Sequence, residues 1–286
     1  MTDRSPIAPR DATPAATLFL LAHHDDEVFC AGHLRRTMAM GAGSRLGLLW
    51  ATTGGLAPAR RRLAEGQRVR DLLGLATENA PDLGLPDKGA LDHVATIVRE
   101  AESLLGRLEH GGRGGPAAPP AIFVPAYEGG HPDHDALNLA AAVLCSRRPD
   151  VRAFEFPLYR RGRLGLAVQS TAPPLGSARP PGGSASGNWQ IAFLDDDAIA
   201  LRRALVGANG SQRFVSLEPL LALARLAGRG RAVSARPLPA HDYATRPHEG
   251  RLLYELYTRR RFAQFAAVAA VAVRSLSDAG RLPPSR

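Results

Sequence analysis

Two short segments carry most of the side chains capable of chemistry. His23-His24-Asp25-Asp26-Glu27 and His131-Pro132-Asp133-His134 together hold four of the nine histidines of the chain. Core or surface histidines do not cluster in this way. Hydrolysis assisted by a divalent ion needs neutral imidazoles, a carboxylate ligand, an open coordination position, and a second carboxylate to take water's proton. These segments supply each of those parts. His23 and Asp26, three apart, can turn toward one point. His134 can reach the same point from the second segment, and Asp25 is left beside them as a candidate base. Each segment alone also has a plain structural reading. Asp25, Asp26 and Glu27 suit the first turn of a helix, where carboxylates meet the positive end of the dipole. His131-Pro132-Asp133 suits an ordinary turn into a helix. Two such segments at the ends of strands of one sheet point instead to a single mononuclear metal site.

The elements that must position them can be read from periodicity. The apolar run Thr17 to Ala22 predicts a buried strand feeding a functional loop. Val28, Ala31, Leu34 and Met38 recur at helical spacing and predict a helix from Glu27 to Met40, with Gly41 as its stop. Leu46 to Thr53 reads as a second strand and Arg61 to Leu73 as a helix. Leu91, Val94, Ile97, Ala101, Leu104 and Leu108 form the buried stripe of another helix. Ala121 to Ala126 is a further strand, followed by a helix from Asp133 to Cys145. This alternation predicts an α/β fold, a Rossmann-like and mostly parallel sheet with helices on both faces. Sites in such folds form at the carboxyl ends of strands, where both histidine segments fall.

Beyond these elements, Phe154 to Tyr159 reads as a strand. The Pro, Gly and Ser-rich stretch from Ser170 to Gly187 is expected to be a mobile loop that covers the site on binding. From Asn188 onward one strand and two or three helices are expected, with Asp195 to Asp197 as an acidic helix start and Leu217 to Ala227 as a helical run. The chain is read as one domain spanning residues 1–286, with a core at 1–150 and a C-terminal α/β extension at 151–286.

Composition narrows the function further. Only Cys30 and Cys145 occur, so neither a disulfide framework nor a cysteine-rich metal site is available, and any metal must use His and carboxylates. The formal charge of +9 resembles a nucleic-acid signal. The basic residues are nevertheless spread along the chain and Lys88 is the only lysine, a pattern of compositional bias, so no nucleic-acid partner is expected. Residues Met1 to Thr13 are polar, with no secretory signal, and the apolar run Phe265 to Val273 falls short of the roughly 20 residues that span a membrane. No membrane span and a cytoplasmic location are expected.

On the two histidine segments the sequence resembles the LmbE-like, or PIG-L-type, N-acetylglucosaminyl deacetylase family. Arg62 and Glu65 in Arg-x-x-Glu, Leu73-Gly74, and Leu85-Pro86-Asp87 are similar to its intermediate landmarks. Ser211-Gln212 and Tyr254-Glu255 leading into Arg259 to Phe262 resemble its C-terminal part. The resemblance implies that His23, Asp26 and His134 hold zinc, with Asp25 as general base. It implies that His131 stabilises the oxyanion or protonates the amine, that Asp133 orients a histidine, and that Arg62 and Asp87 contact sugar hydroxyls. The implied substrate is a small N-acetylated amino sugar or conjugate, cleaved to acetate and a free amine. A non-sugar acyl amide is the alternative. A His, Asp, His set also suits Fe(II), Co or Mn. Three positions depart from the family: His24 stands where Pro is frequent, Gly129 where some members carry a tyrosine for the oxyanion, and Asn209 where some carry histidine. Tyr127 and Glu128 are the nearest residues in sequence to replace that tyrosine.

Overall fold

The computed structural model describes residues 14–41, 45–55, 57–110, 118–162, 165–172 and 188–279, the last seven for backbone alone. Most of the predicted Ser170 to Gly187 loop lies outside the described residues. The strands are β1 (Thr17–Leu21), β2 (Leu46–Thr52), β3 (Asp82–Leu85), β4 (Ala121–Pro125), β5 (Arg152–Phe156), β6 (Tyr159–Gly162), β7 (Gly165–Val168), β8 (Gln190–Phe193) and β9 (Ala232–Pro237). The helices are α1 (Ala31–Ala39), α2 (Ala59–Leu73), α3 (Val94–His110), α4 (Pro132–Arg147), α5 (Asp196–Ala208), α6 (Glu218–Leu226), α7 (Tyr254–Tyr257) and α8 (Phe262–Ala279). Seven strands form one sheet in the order β3-β2-β1-β4-β5-β9-β8, parallel through its first five members. Only β9 is reversed, antiparallel to both of its neighbours β5 and β8. The expected mostly parallel α/β architecture is what the chain adopts.

Strand β1 shows why the sheet is covered on both sides. Its side chains alternate faces with a period of two. Leu18 and Leu20 join a core that includes Leu104 of α3, Leu137 of α4 and Phe265 of α8. Phe19 and Leu21 join the opposite core, with Leu34 of α1, Val69 of α2 and Leu205 of α5. A strand buried on both faces reads as a continuous apolar run, as this one does. Helix α4 has no polar face along its first two turns: every residue from Pro132 to Ala141 is buried. It lies between the sheet and α3 and α8.

The structure departs from the periodic reading where polar interactions outrank it. No continuous helix runs from Glu27. The chain makes a short 3-10 turn at Asp26–Val28, and α1 begins only at Ala31. The side chain of Asp26 folds back to the strand end, which spends the first turn on loop geometry. Strand β3 was not expected, because four residues containing Gly84 and bounded by Pro81 and Pro86 are too short to show alternation. The Phe154 to Tyr159 strand is two strands broken at Pro157, and β6 pairs with β7 away from the main sheet. The C-terminal part has two strands where one was expected, and both extend the central sheet.

The loop after β4 is held by close backbone packing. A Cβ at Gly130 would lie 1.8 Å from the carbonyl oxygen of Tyr159, and no flexible side chain is there to give way. Gly130→Ala is therefore expected to destabilise the protein by about 1–3 kcal/mol, as overpacking does. Thermal unfolding checks this, and a midpoint equal to wild type would contradict it.

Candidate active site

Connections leave β1 and β4 toward opposite edges of the sheet, so a crevice opens beyond the carboxyl ends of these two strands. His23 to Glu27 follow β1 and His131 to Asp135 follow β4, so topology alone brings the two segments to one place.

At the end of β1 the chain turns sharply. Asp25 has φ 117°, a left-handed conformation that is strained for a residue with a side chain. The turn is fixed by Asp26, whose Oδ2 accepts from the backbone N–H of Ala22 at 2.9 Å and of His23 at 3.0 Å. Its other oxygen, Oδ1, faces His134 Nε2 at 3.3 Å, and His23 Nδ1 is 3.8 Å from Oδ2. His23, Asp26 and His134 thus converge. Burial alone would push the Asp26 carboxyl up, but the facing His134 and His23 outweigh it and hold the group well below its ordinary range. Burial likewise disfavours charge on His23, yet Asp133 and Asp26 raise its pKa well above the usual imidazole value. A proton on His23 and a divalent cation are alternative ways to balance the same carboxylates.

Asp133, fully buried, fixes the orientation of His23. Its Oδ2 meets His23 Nε2 at 3.2 Å and accepts from the Lys88 N–H at 2.8 Å, while Oδ1 accepts from the Ala90 N–H at 3.0 Å. Burial opposes the negative charge, but these donors bring the carboxyl down to about 2. With Nε2 engaged, His23 turns Nδ1 toward Asp26. His134 is 1% exposed, and neither of its ring nitrogens has a hydrogen-bond partner among the described residues. Ligand atoms of His23, His131 and His134, and those of His23, Asp25 and Asp26, lie within 4.8 Å of one another and could hold a divalent cation, and their chemistry suits zinc, iron(II), cobalt or manganese.

His131 caps α4, and its Nδ1 accepts the N–H of Asp133 at 3.2 Å. That bond requires Nδ1 to be unprotonated, so the neutral ring carries its hydrogen on Nε2. Burial and then the neighbouring His23 drive its pKa well below the usual value, which keeps the ring neutral. Nε2 lies 3.8 Å from Asp87 Oδ1. Asp25 faces the Arg62 guanidinium at 3.4 Å. Burial pushes its carboxyl up to about 8, with Arg62 opposing the rise. A cation bound next to it favours the ionised form further.

These groups line a cavity of about 400 Å³, the size of a small-ligand site. Asp25, Asp26, His23 and His131 lie on its wall with Asp87, and Phe29, Leu217 and Leu220 add apolar lining. Arg62 also lines it, but the side chain is 1% exposed and its donors are largely committed to the protein. Nε donates to Thr53 O at 3.2 Å, and Nη1 to Glu65 Oε2 at 2.7 Å and Ser211 Oγ at 3.3 Å. Asp87 is held by Lys88 Nζ at 2.5 Å.

The departures from the family pattern acquire definite places. His24 points away from the cavity to Asp82 Oδ2 at 2.8 Å and packs on Trp50. Asn209 donates to Glu27 Oε1 at 2.6 Å, and Glu27 Oε2 in turn accepts the Asp25 N–H at 2.9 Å, so Asn209 braces the loop. Neither Tyr127 nor Glu128 reaches the cavity: Tyr127 donates to Thr245 O at 2.8 Å, and Glu128 accepts from the Leu158 N–H at 2.8 Å. The tyrosines on the cavity wall are Tyr159 and Tyr257, which sequence reasoning missed. Tyr159 opens the segment just beyond β5, the next parallel strand, and the strand-end rule that found His23 would have singled it out.

The fold and this arrangement define an open, mostly parallel α/β protein with a His and Asp cluster at its topological switch point. Residues 18–145 match the family PIG-L, described as GlcNAc-PI de-N-acetylase, and this segment contains both histidine clusters. The family resemblance read from the motifs is thereby borne out. Among solved structures, the chain is similar to a deacetylase–teicoplanin complex in the biosynthesis pathway of teicoplanin. The TM-score is 0.52 at 14% identity, covering 78% of this chain and 97% of that chain, a likeness of fold. No curated protein sequence matches the chain. No helix among the described residues is long and apolar enough to cross a membrane.

Because Arg62 faces Asp25 and Glu65 inside the protein, Arg62→Ala should lower kcat far more than it raises KM. It should also lower stability by about 3 kcal/mol, since removing one partner leaves buried carboxylates uncompensated. Steady-state kinetics and denaturant unfolding test both expectations, and a rise in KM at unchanged kcat would instead make Arg62 a substrate contact.

Proposed function

We propose that the chain is a metal-dependent hydrolase that removes the acyl group, an acetyl in the first instance, from the amine of an amino sugar or its conjugate. The observation that carries this reading is the approach of His23, Asp26 and His134 to one another, with His23 and Asp26 lining the same cavity as Asp25 and His131. The match of residues 18–145 to a de-N-acetylase family supports it. His23, Asp26 and His134 would hold the ion, with zinc the first candidate. When bound, such an ion supplies Lewis-acid polarisation of the scissile carbonyl and eases the deprotonation of water.

The remaining steps belong to the side chains. Asp25, kept at the wall by its backbone turn and by Arg62, takes the proton of the attacking water. His131 carries its hydrogen on Nε2 because Nδ1 is engaged by the backbone, so as a neutral ring it donates a hydrogen bond to the oxygen on which charge develops, and the proton that Asp25 took from water passes to the leaving amine. Asp133 keeps His23 in one tautomer and one orientation. Asp87, beside His23 and His131 on the cavity wall, is positioned to accept from a substrate hydroxyl. A cavity of about 400 Å³ suits one sugar ring with its acyl group and leaves larger conjugates to project from the mouth. A small acyl amide without a sugar would satisfy the same catalytic groups, and a panel of N-acyl amino sugars and non-sugar acyl amines separates the two.

Asp25→Asn keeps the size and hydrogen bonding of the side chain but cannot take a proton. The variant is expected to lose about 10²- to 10⁴-fold in the rate of acetate release, as general-base removal does, with metal content unchanged. His134→Ala is expected to lose the metal itself. Activity of Asp25→Asn at the wild-type rate, or full metal content in His134→Ala, would overturn the corresponding assignment.

A further inference from the structure

A second cavity, of about 1060 Å³, lies between α5, α6 and the loop leading into β9, with none of its lining residues shared with the catalytic cavity. Its charges do not balance. Five guanidinium groups line it against the two carboxylates Asp196 and Glu218. Those carboxylates serve three of the arginines: Arg231 meets Asp196 at 3.2 Å, and Arg213 and Arg225 share Glu218 at 3.5 and 3.8 Å. Arg202 and Arg203 remain.

Arg202 is the unusual member, because it is only 6% exposed. Its partners are backbone carbonyls, Gly230 O at 3.1 Å and Ala232 O at 3.4 Å, and its Nε has no hydrogen-bond partner among the described residues. Burial, with Arg225 also facing it, brings the guanidinium down to about 10. A buried cation with no counter-charge and a second cation beside it is unfavourable unless an anion completes the site. Arg202 supplies buried positive charge behind the groove, and the planar fork of the exposed Arg203, which neither lining carboxylate engages, suits oxyanions that accept two parallel hydrogen bonds. An excess of several positive charges matches a multiply charged anion better than a single carboxylate.

We propose that this groove is a binding site for a phosphate-class oxyanion, filled by a small molecule that carries a diphosphate or equivalent group. The sequence shows only that basic residues are numerous. The fold brings five of them, from α5, α6 and the segments around them, to one groove.

The test is calorimetric titration of the full chain with inorganic pyrophosphate at low ionic strength, where such contacts are least screened. One pyrophosphate per chain is expected, with a higher thermal unfolding midpoint in its presence. Arg203 and Arg225 are exposed, so the double variant Arg203→Ala/Arg225→Ala should fold normally and bind at least about tenfold more weakly, the loss of one charge-assisted contact or more. Arg202→Met should weaken binding similarly, and the double variant decides the matter if Arg202→Met does not fold. His134→Ala should bind pyrophosphate like wild type, because the groove is separate from the catalytic cavity. Absence of binding by wild type, undiminished binding by the double variant, or loss of binding in His134→Ala would each overturn the proposal. Tight binding of an oligothymidylate without binding of pyrophosphate would also overturn it and assign the face to nucleic acid.

Discussion

The carboxylate of Asp26 is bound to the backbone through one oxygen and aimed at His134 through the other. Its grip on the N–H groups of Ala22 and His23 ends β1, forces Asp25 into a left-handed turn and delays α1 until Ala31. Its free edge meets His134 from the neighbouring strand end. The local backbone and the assembled site therefore depend on the same side chain. The strain at Asp25 persists because Asp26 and Glu27 hold the turn from both sides, Glu27 through the Asp25 N–H and through Asn209.

Around that turn, buried charge is organised so that each candidate catalytic group is held in one orientation. Asp133 is a fully buried anion made tolerable by two backbone N–H donors and His23, and it thereby fixes a ring that would otherwise rotate. Glu65 does the same for Arg62, tying it and Ser211 together by bonds of 2.6 to 2.7 Å. Arg62 in turn stands beside Asp25. Positioning passes from the C-terminal part of the chain through α2 to the candidate base, which gives the segment after α5 a part in the site despite its distance in sequence.

Much of this was legible in the sequence for physical reasons. Strands buried on both faces, such as Thr17–Leu21, read as continuous apolar runs, and α3 shows a clean stripe because one of its faces meets solvent. The histidine and aspartate segments could be found because few structural needs put so many imidazoles and carboxylates together. What sequence could not show was contact across long separations. Tyr159 and Tyr257 reach the cavity through folding of the C-terminal half, and Asn209 acts on a loop 182 positions earlier. β3 was missed because a four-residue strand between prolines has no apolar alternation to detect, and of the two strands after Asn188 only one was expected.

The central claim is that one divalent ion held by His23, Asp26 and His134 makes this cavity a deacylating site. It is tested most directly by stripping the purified protein with a chelator and titrating zinc, iron(II), cobalt or manganese back, while acetate release from an N-acetylglucosamine conjugate is followed. The account predicts that activity is lost on stripping and returns in proportion to added ion, saturating at one equivalent per chain. Acetate release that survives complete removal of the metal, or that needs two equivalents, would contradict it.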